Sequence, residues 1–376
     1  MDYNAAMIRA GAILTVDLDA LCANYRLLRE RARPAHCAAV LKSNAYGLGA
    51  LPVGRALYEE GCRHFFVAHL DEGIALRPFL PDDADIFVLH GPPPGAEREC
   101  RRHRLIPVLN SIEQIQAWRR LARSEGCLLP AFVQIDSGMS RMGLSAAEVA
   151  AWIGDPGLLD GVDVRFLMSH LACADEPDNA MNRRQLANFV AARRQLPACP
   201  ASLSNSSAIF LSKDFHFDLV RPGAALYGIA PRADGPNPMA PVVRLQGRIL
   251  QTRRIAAGDH VGYALRYTAN APRLIATVGI GYADGWSRSM SNRGAGFIDG
   301  QPIAQVGTIS MDSTTFDVTG LAPDQVVAGG LVDLICPQHP VDAVAAIAGT
   351  IGYEVLTGLG PRIHRQYLCS GSSDSP

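Results

Sequence analysis

The chain has 376 residues, 48% hydrophobic and 19% charged, with a formal net charge of −1. That length exceeds the usual single-domain size and the composition is that of a globular protein with a sizeable core, so two domains are expected. The balanced charge argues against nucleic acid or an anionic membrane surface as a partner, and no apolar stretch reaches the roughly 18 residues of a membrane span.

The start of the chain, Met1-Asp2-Tyr3-Asn4, has no basic segment and no apolar run behind it, so no secretory signal is expected. The nine cysteines fall at Cys22, Cys37, Cys62, Cys100, Cys127, Cys173, Cys199, Cys336 and Cys369. Their number is odd, their spacing wide, and no Cys-x-x-Cys pair occurs. A zinc site or a disulfide framework is not expected; most of these thiols read as small core residues in a reduced, cytoplasmic protein.

Ala12 to Val16 reads as a strand, and Asp17 to Arg33 as an amphipathic helix with Leu18, Leu21, Leu27 and Leu28 on one face and Asp17 or Asp19 as its cap. Short apolar runs then recur at 37–41, 64–68, 86–89, 105–109, 129–135, 164–168, 201–203 and 217–220. Helical patterns separate most of them, as at 50–60, 111–123, 145–153 and 182–196. Eight strands alternating with helices over about 200 residues predict a (β/α)8 barrel. A doubly wound sheet would open with a glycine-rich turn, and Lys42 stands in that turn instead. Beyond Gly228 the texture changes: Asp234-Gly-Pro-Asn-Pro238 is a loop, followed by β-branched runs at 242–250, 274–280, 304–309 and 331–334, with helical periodicity only near 341–351. The expected organisation is a barrel domain over 11–235 and a mainly β C-terminal domain over 236–369.

The segment Ala38-Ala-Val-Leu-Lys42-Ser-Asn-Ala-Tyr46-Gly-Leu-Gly49 runs an apolar strand directly into a lysine and a polar, glycine-rich loop. A desolvated ammonium is costly unless paired or lowered in pKa, and barrel enzymes hold their reacting groups at this mouth. A lysine so placed can act as a Schiff-base nucleophile, or it can snorkel from a strand end. AVLKSNAYGLGA resembles the cofactor-lysine signature of the alanine racemase family. The likeness continues from TVDLDAL near the start to GYEVLTGLGPRIHRQY near the end.

This resemblance implies pyridoxal 5'-phosphate joined to Lys42 through a Schiff base. It implies that Tyr46, Ser206, the Gly223 and Ala224 amides and Tyr353 hold the phosphate, and that Arg221 faces the pyridine nitrogen. A guanidinium only donates, so the ring nitrogen would stay unprotonated and the ring a weaker electron sink, favouring return of the proton to Cα over transamination. Racemisation needs a proton group on each face of Cα; the resemblance assigns these to Lys42 and Tyr263, with Tyr263 linked through His170 to Arg221. It also implies Arg141 and the Met311 amide on the substrate carboxylate and Tyr282 at the entrance. Tyr263, Tyr282 and Met311 would come from the partner in a homodimer. One departure stands out: Gln134 occupies a position where some members carry a carbamylated lysine, leaving open what orients Arg141.

The implied reaction is interconversion of L-alanine and D-alanine, which would place the chain with D-alanine supply for peptidoglycan precursors or with alanine breakdown. A broad-specificity amino-acid racemase is the alternative. A decarboxylase on the same barrel would favour an acidic partner for the ring nitrogen, and a non-catalytic pyridoxal-phosphate carrier would lack the second domain. No metal site, nucleic acid or membrane partner is expected.

Overall fold

The eight apolar runs form eight parallel strands in the computed structural model, which describes residues 7–370. His36–Cys37 and Ala39–Val40 make the first strand, followed by His64–Val67, Asp85–Val88, Ile106–Leu109, Leu129–Gln134, Val162–Met168 and Ala201–Ser202. Leu219–Val220 is the eighth and pairs with His36–Cys37. Backbone bonds close the ring: Ala38 N–H donates to Val220 O and Val40 N–H to Pro222 O, both at 2.9 Å, while Arg221 N–H reaches Ser204 O on the seventh strand side at 2.9 Å. Every strand is within a residue or two of its predicted position.

Helices fill the intervals, and several of them carry a start signal before an apolar stripe. Asp17 Oδ1 accepts from Ala20 N–H at the head of Leu18–Ala32. Ser111 caps Ile112–Glu125, and Ser145 with Glu148 forms a capping box on Ala146–Gly154. Two further helices, Leu70–Leu76 and Glu97–Arg102, are too short to show a clear period. The barrel interior is aromatic: Phe66, Phe87 and Phe132 are fully buried, with ring centroids 4.7 Å (Phe66–Phe87) and 4.5 Å (Phe87–Phe132) apart. Val40, Val108, Met168 and Leu219 pack around them.

The chain divides into two compact units, the barrel comprising Leu21–Leu226 and Ala230–Met239. The other unit contains a closed antiparallel ring of Val243–Ile255, Arg273–Val278, Thr314–Asp317, Gln301–Gln305, Ala295–Ile298 and Leu331–Ile335. The long strand Val243–Ile255 pairs with Leu331–Ile335 through its first half and with Arg273–Val278 through its second, with a register shift after Ile249. Gly247 permits this crossing, since a Cβ there would lie 2.4 Å from Val278 Cγ1. Ala12–Asp17, expected at the opening of the barrel domain, belongs to this unit instead: it runs antiparallel to Val243–Ile255 and parallel to His364–Leu368. An isolated apolar run does not say which sheet will take it. The predicted strand at 304–309 is likewise displaced to Gln301–Gln305, with its remainder a loop.

All nine cysteines are free, but only Cys37, Cys62, Cys100 and Cys336 are buried, fewer than expected. No single helix among the described residues is long and apolar enough to cross a membrane; the bent pair Val341–Ala348 and Gly352–Gly358 passes by length and composition only, and Val344 and Leu356 from it are fully buried in the structure.

Truncating the centre of the aromatic stack tests the barrel core. Phe132→Ala should lower unfolding free energy by about 3–5 kcal/mol in denaturant titration, because the cavity cannot close against the Phe66, Phe87 and Phe166 rings.

Candidate active site

Lys42 follows the first barrel strand, whose register is held by the Leu41 N–H bond to Phe66 O at 2.7 Å. The chain then makes a left-handed turn: Ser43, Asn44, Ala45 and Tyr46 have φ of 54°, 56°, 53° and 55°. Each non-glycine residue in that region costs roughly 1–2 kcal/mol, so other bonds must hold the turn. Asn44 Oδ1 accepts from Ala50 N–H at 2.8 Å, and Glu72 Oε1 accepts from Ser43 N–H at 2.6 Å. The second Glu72 oxygen takes the Ala68 and His69 amides at 2.7 and 3.0 Å, so one carboxylate staples the lysine turn to the next strand end. Burial lowers the Lys42 ammonium from its ordinary range, Arg141 lowers it further, and Glu72 partly offsets both.

On the eighth strand Arg221 is 4% exposed. Its guanidinium donates to Ser202 Oγ, to Ser169 O at 2.8 Å, and toward His170 Nδ1 at 3.4 Å. Burial pushes it down to about 9, still cationic near neutrality. Desolvation and the cations Arg221, Arg141 and Lys42 push His170 down to about 3, so the imidazole is neutral with Nδ1 as acceptor. Beneath it Ser169, Ser137 and Gln185 form a closed polar network, with Gln185 Nε2 on His170 O at 2.9 Å.

Arg141 is exposed on the loop after the fifth strand. Asp136 Oδ1 shapes that loop by accepting from Gly138, Met139 and Ser140 amides at 2.8, 2.9 and 3.2 Å. The neutral Gln134 donates to Met142 O at 3.0 Å, so it holds the backbone beside Arg141 and not the guanidinium itself.

Ser206 Oγ accepts from Gly223 N–H at 2.9 Å and Ala225 N–H at 3.2 Å, ahead of the short helix Ala224–Tyr227. The Tyr46 hydroxyl sits so close to Gly223 that an added Cβ would lie 2.4 Å from it. Two hydroxyls and converging amides at a helix start suit a phosphate. Thus Lys42, Tyr46, Arg141, His170, Ser206, Arg221, Gly223 and Ala224 all follow the C-terminal ends of strands of the barrel unit.

The other expected residues lie in the β-rich unit. Tyr263, Tyr282 and Met311 are 70%, 42% and 52% exposed. Their segments adjoin: Tyr282 N–H donates to Ser310 O at 3.1 Å, Ala283 N–H to Met311 O at 3.0 Å, and Thr308 Oγ1 to Tyr263 O at 2.9 Å. Arg362 ties the two loops together through Asp284 at 2.8 Å and Asp312 at 2.7 Å. Tyr353 is half-buried on Gly352–Gly358, its carbonyl accepting from Thr357. Sequence reasoning missed Glu72, His69 and His90. The two histidines end the second and third strands, with Nδ1 atoms 3.4 Å apart. A polar residue closing an apolar strand, the signal that marked Lys42, marks them too.

A phosphate cradle, a desolvated amine and a buried guanidinium on one rim fit pyridoxal phosphate: Tyr46, Ser206, Gly223 and Ala224 would hold its phosphate, Arg221 its ring nitrogen and Lys42 its aldehyde carbon. The class so defined is a barrel enzyme with a lysine nucleophile beside an anionic cofactor. Residues 16–231 match the family model "Alanine racemase, N-terminal domain", and residues 242–367 match "Alanine racemase, C-terminal domain". The chain is 50% identical to a catabolic alanine racemase of Mesorhizobium japonicum, covering 96% of this chain and 94% of that one, and 47% identical to an alanine racemase of Brucella abortus, with the same coverage. It is similar to the crystal structure of alanine racemase from Bartonella henselae with covalently bound pyridoxal phosphate, at TM-score 0.92 and 42% identity over 96% of this chain and all of that one. The chain belongs to the alanine racemase family.

Gly223→Ala should displace the Tyr46 hydroxyl and weaken cofactor retention by about tenfold or more, read as loss of bound pyridoxal phosphate on dialysis. The neutral His170 sets a pH dependence. Between its unfolded value of 6.5 and its folded value of about 3, only the unfolded chain takes up the proton. Stability should therefore fall as pH drops below the unfolded value, by up to about 1.4 kcal/mol per pH unit. Denaturant titrations of His170→Gln should show that part of the slope removed.

Proposed function

We propose that this chain interconverts L-alanine and D-alanine with pyridoxal phosphate, working as a homodimer in the cytoplasm. The observation that carries the reading is the barrel mouth itself: a lysine lowered by burial and by Arg141, with the Tyr46–Ser206–Gly223 cradle on the same rim. When bound, the cofactor supplies an electron sink that acidifies the Cα–H of the amino acid attached to it.

The residues do the rest. Lys42 exchanges a proton at one face of Cα, and burial together with Arg141 shifts its amine toward the neutral, basic form. Tyr263 exchanges a proton at the opposite face, its phenol oxygen bonded to the remaining nitrogen of the neutral His170 imidazole. Arg221 fixes the tautomer of that imidazole and keeps the ring nitrogen of the cofactor unprotonated. Arg141 and the Met311 amide bind the substrate carboxylate; Tyr282 and Tyr353 narrow the space beside Cα to a small side chain. The exposure of Tyr263, Tyr282 and Met311 supports their entering the active site of a second subunit, so that two-face exchange needs the dimer.

Lys42→Ala should lose the visible absorption of the bound cofactor. Tyr263→Phe should keep that absorption and lose about 10²–10⁴-fold in racemisation. Wild-type protein should give deuterated product of inverted configuration in D2O from either enantiomer of alanine. Retained activity in Tyr263→Phe, or no exchange from alanine with cofactor bound, overturns the reading; turnover of serine or larger amino acids at comparable rates would make it a broad-specificity racemase.

A further inference from the structure

The rim between Lys42 and the Arg141 loop is built by the ends of the second, third and fourth barrel strands, and a train of bonds runs along it. Glu72 holds the Ser43 amide of the lysine turn with one oxygen and the Ala68 and His69 amides with the other. The His69 and His90 rings meet edge to face, with centroids 4.6 Å apart and Nδ1 atoms at 3.4 Å. His90 N–H donates to Ala68 O at 3.1 Å, and His90 O accepts from Gln114 Nε2 at 2.8 Å. Gln114, in the first turn of Ile112–Glu125, also accepts the Asn110 amide at 2.8 Å. The imidazole pair thus joins the corner held by Glu72 to the corner anchored on that helix.

Two ring nitrogens bond only if one carries hydrogen and the other a lone pair. A neutral pair meets this condition. So does a pair with one added proton, because the donor ring takes it at Nε2. A second proton leaves no bare Nδ1; two N–H groups then face each other and the bond is lost. The surroundings oppose that second proton. Partial desolvation pushes His90 below its ordinary 6.5, the charges of His69, Lys42 and Arg141 push it further, and Glu72 offsets part of this. Near neutral pH the bond is therefore protected by the same cations that line the mouth.

We infer that His69 and His90 are positioning residues for Lys42: their shared bond steadies the corner from which Glu72 holds the lysine turn, and it lasts only while one Nδ1 is bare. The left-handed backbone at 43–46 makes this matter, because a strained turn relaxes once its outside anchors give way. From the proposed function the inference takes only that Lys42 is the reacting amine; the state of its turn can be read whether or not a cofactor binds.

Hydrogen exchange of the full chain, freed of cofactor, tests it. His90→Ala should lower protection of the amides at 43–49 by about three- to tenfold, the loss expected for one hydrogen bond, and leave the helix Leu18–Ala32 unchanged. His90→Asn, which keeps a polar atom at the Nδ1 position and cannot be charged, should restore that protection. In wild type, protection at 43–49 should also fall as pH drops below the histidine range, and His90→Asn should lack that fall. Glu72 is present in both, so any carboxylate step is common to them. Lys42 and Lys213 are the only lysines of the chain. Competitive amine labelling against the exposed Lys213 should show the Lys42 midpoint rising toward its ordinary 10.5 in His90→Ala, as water reaches the amine, and returning in His90→Asn. His69→Asn gives the same acid test from the other ring should His90→Ala not fold. Wild-type protection in His90→Ala, or an acid fall that persists in full in His90→Asn, overturns the inference.

Discussion

The chemistry of the barrel unit depends on one buried charge. Arg221 sits at the eighth strand with its guanidinium out of water, a state tolerated only when its donors are satisfied. The Ser202 hydroxyl and the Ser169 carbonyl satisfy two of them, and these belong to the seventh strand and to the end of the sixth. Barrel closure and the position of the cation are thus one problem, since the strands that complete the ring also supply its acceptors. Its neighbour follows: out of water and beside that cation, His170 stays neutral with its Nδ1 lone pair turned toward Arg221. Lys42 and Arg141 extend the same field across the mouth, against Glu72 alone among the charges that act on Lys42. A rim with that excess of positive charge favours an anionic ligand before any detail of shape is considered.

Placement of the lysine follows from a second constraint. Four successive non-glycine residues in the left-handed region are unfavourable together by several kcal/mol, roughly, and a chain left to local preference would unwind them. Asn44 and Glu72 prevent this through bonds that reach outside the turn. The carboxylate of Glu72 serves twice, because the negative charge that accepts the Ser43 amide also moderates how far burial depresses Lys42. A glutamine there would keep an acceptor and lose that moderation. Mechanical and electrostatic control of the lysine are therefore carried by one side chain that does not react.

Much of this was legible in the sequence. The eight strands emerge from short apolar runs at regular spacing because strands buried on both faces must be apolar throughout. The lysine, the arginine of Arg221-Pro222-Gly223 and the histidine of Ser169-His170 stand where polar residues interrupt strand ends. What the sequence did not disclose was pairing. Ala12–Asp17 has the same apolar texture as a barrel strand, and only its partners, Val243–Ile255 and His364–Leu368, assign it to the other unit. The role of Gln134 was hidden for a related reason: a neutral amide is informative only once its acceptor, Met142 O, is known. Glu72 was invisible because its three amide contacts come from the lysine turn and the head of its own helix, and the helix was too short to declare itself.

The β-rich unit raises a different physical question. Tyr263 and Leu265 are large, largely exposed side chains, and Ala264 and Leu265 adopt positive φ after Gly262. Exposed apolar surface on a strained loop is unfavourable twice over, and neither cost is offset by packing within the unit. Yet the loop is not slack: Thr308 fixes the Tyr263 carbonyl, and Asn292 fixes that of Arg266. A segment held rigid, strained and uncovered has been shaped for something other than its own core.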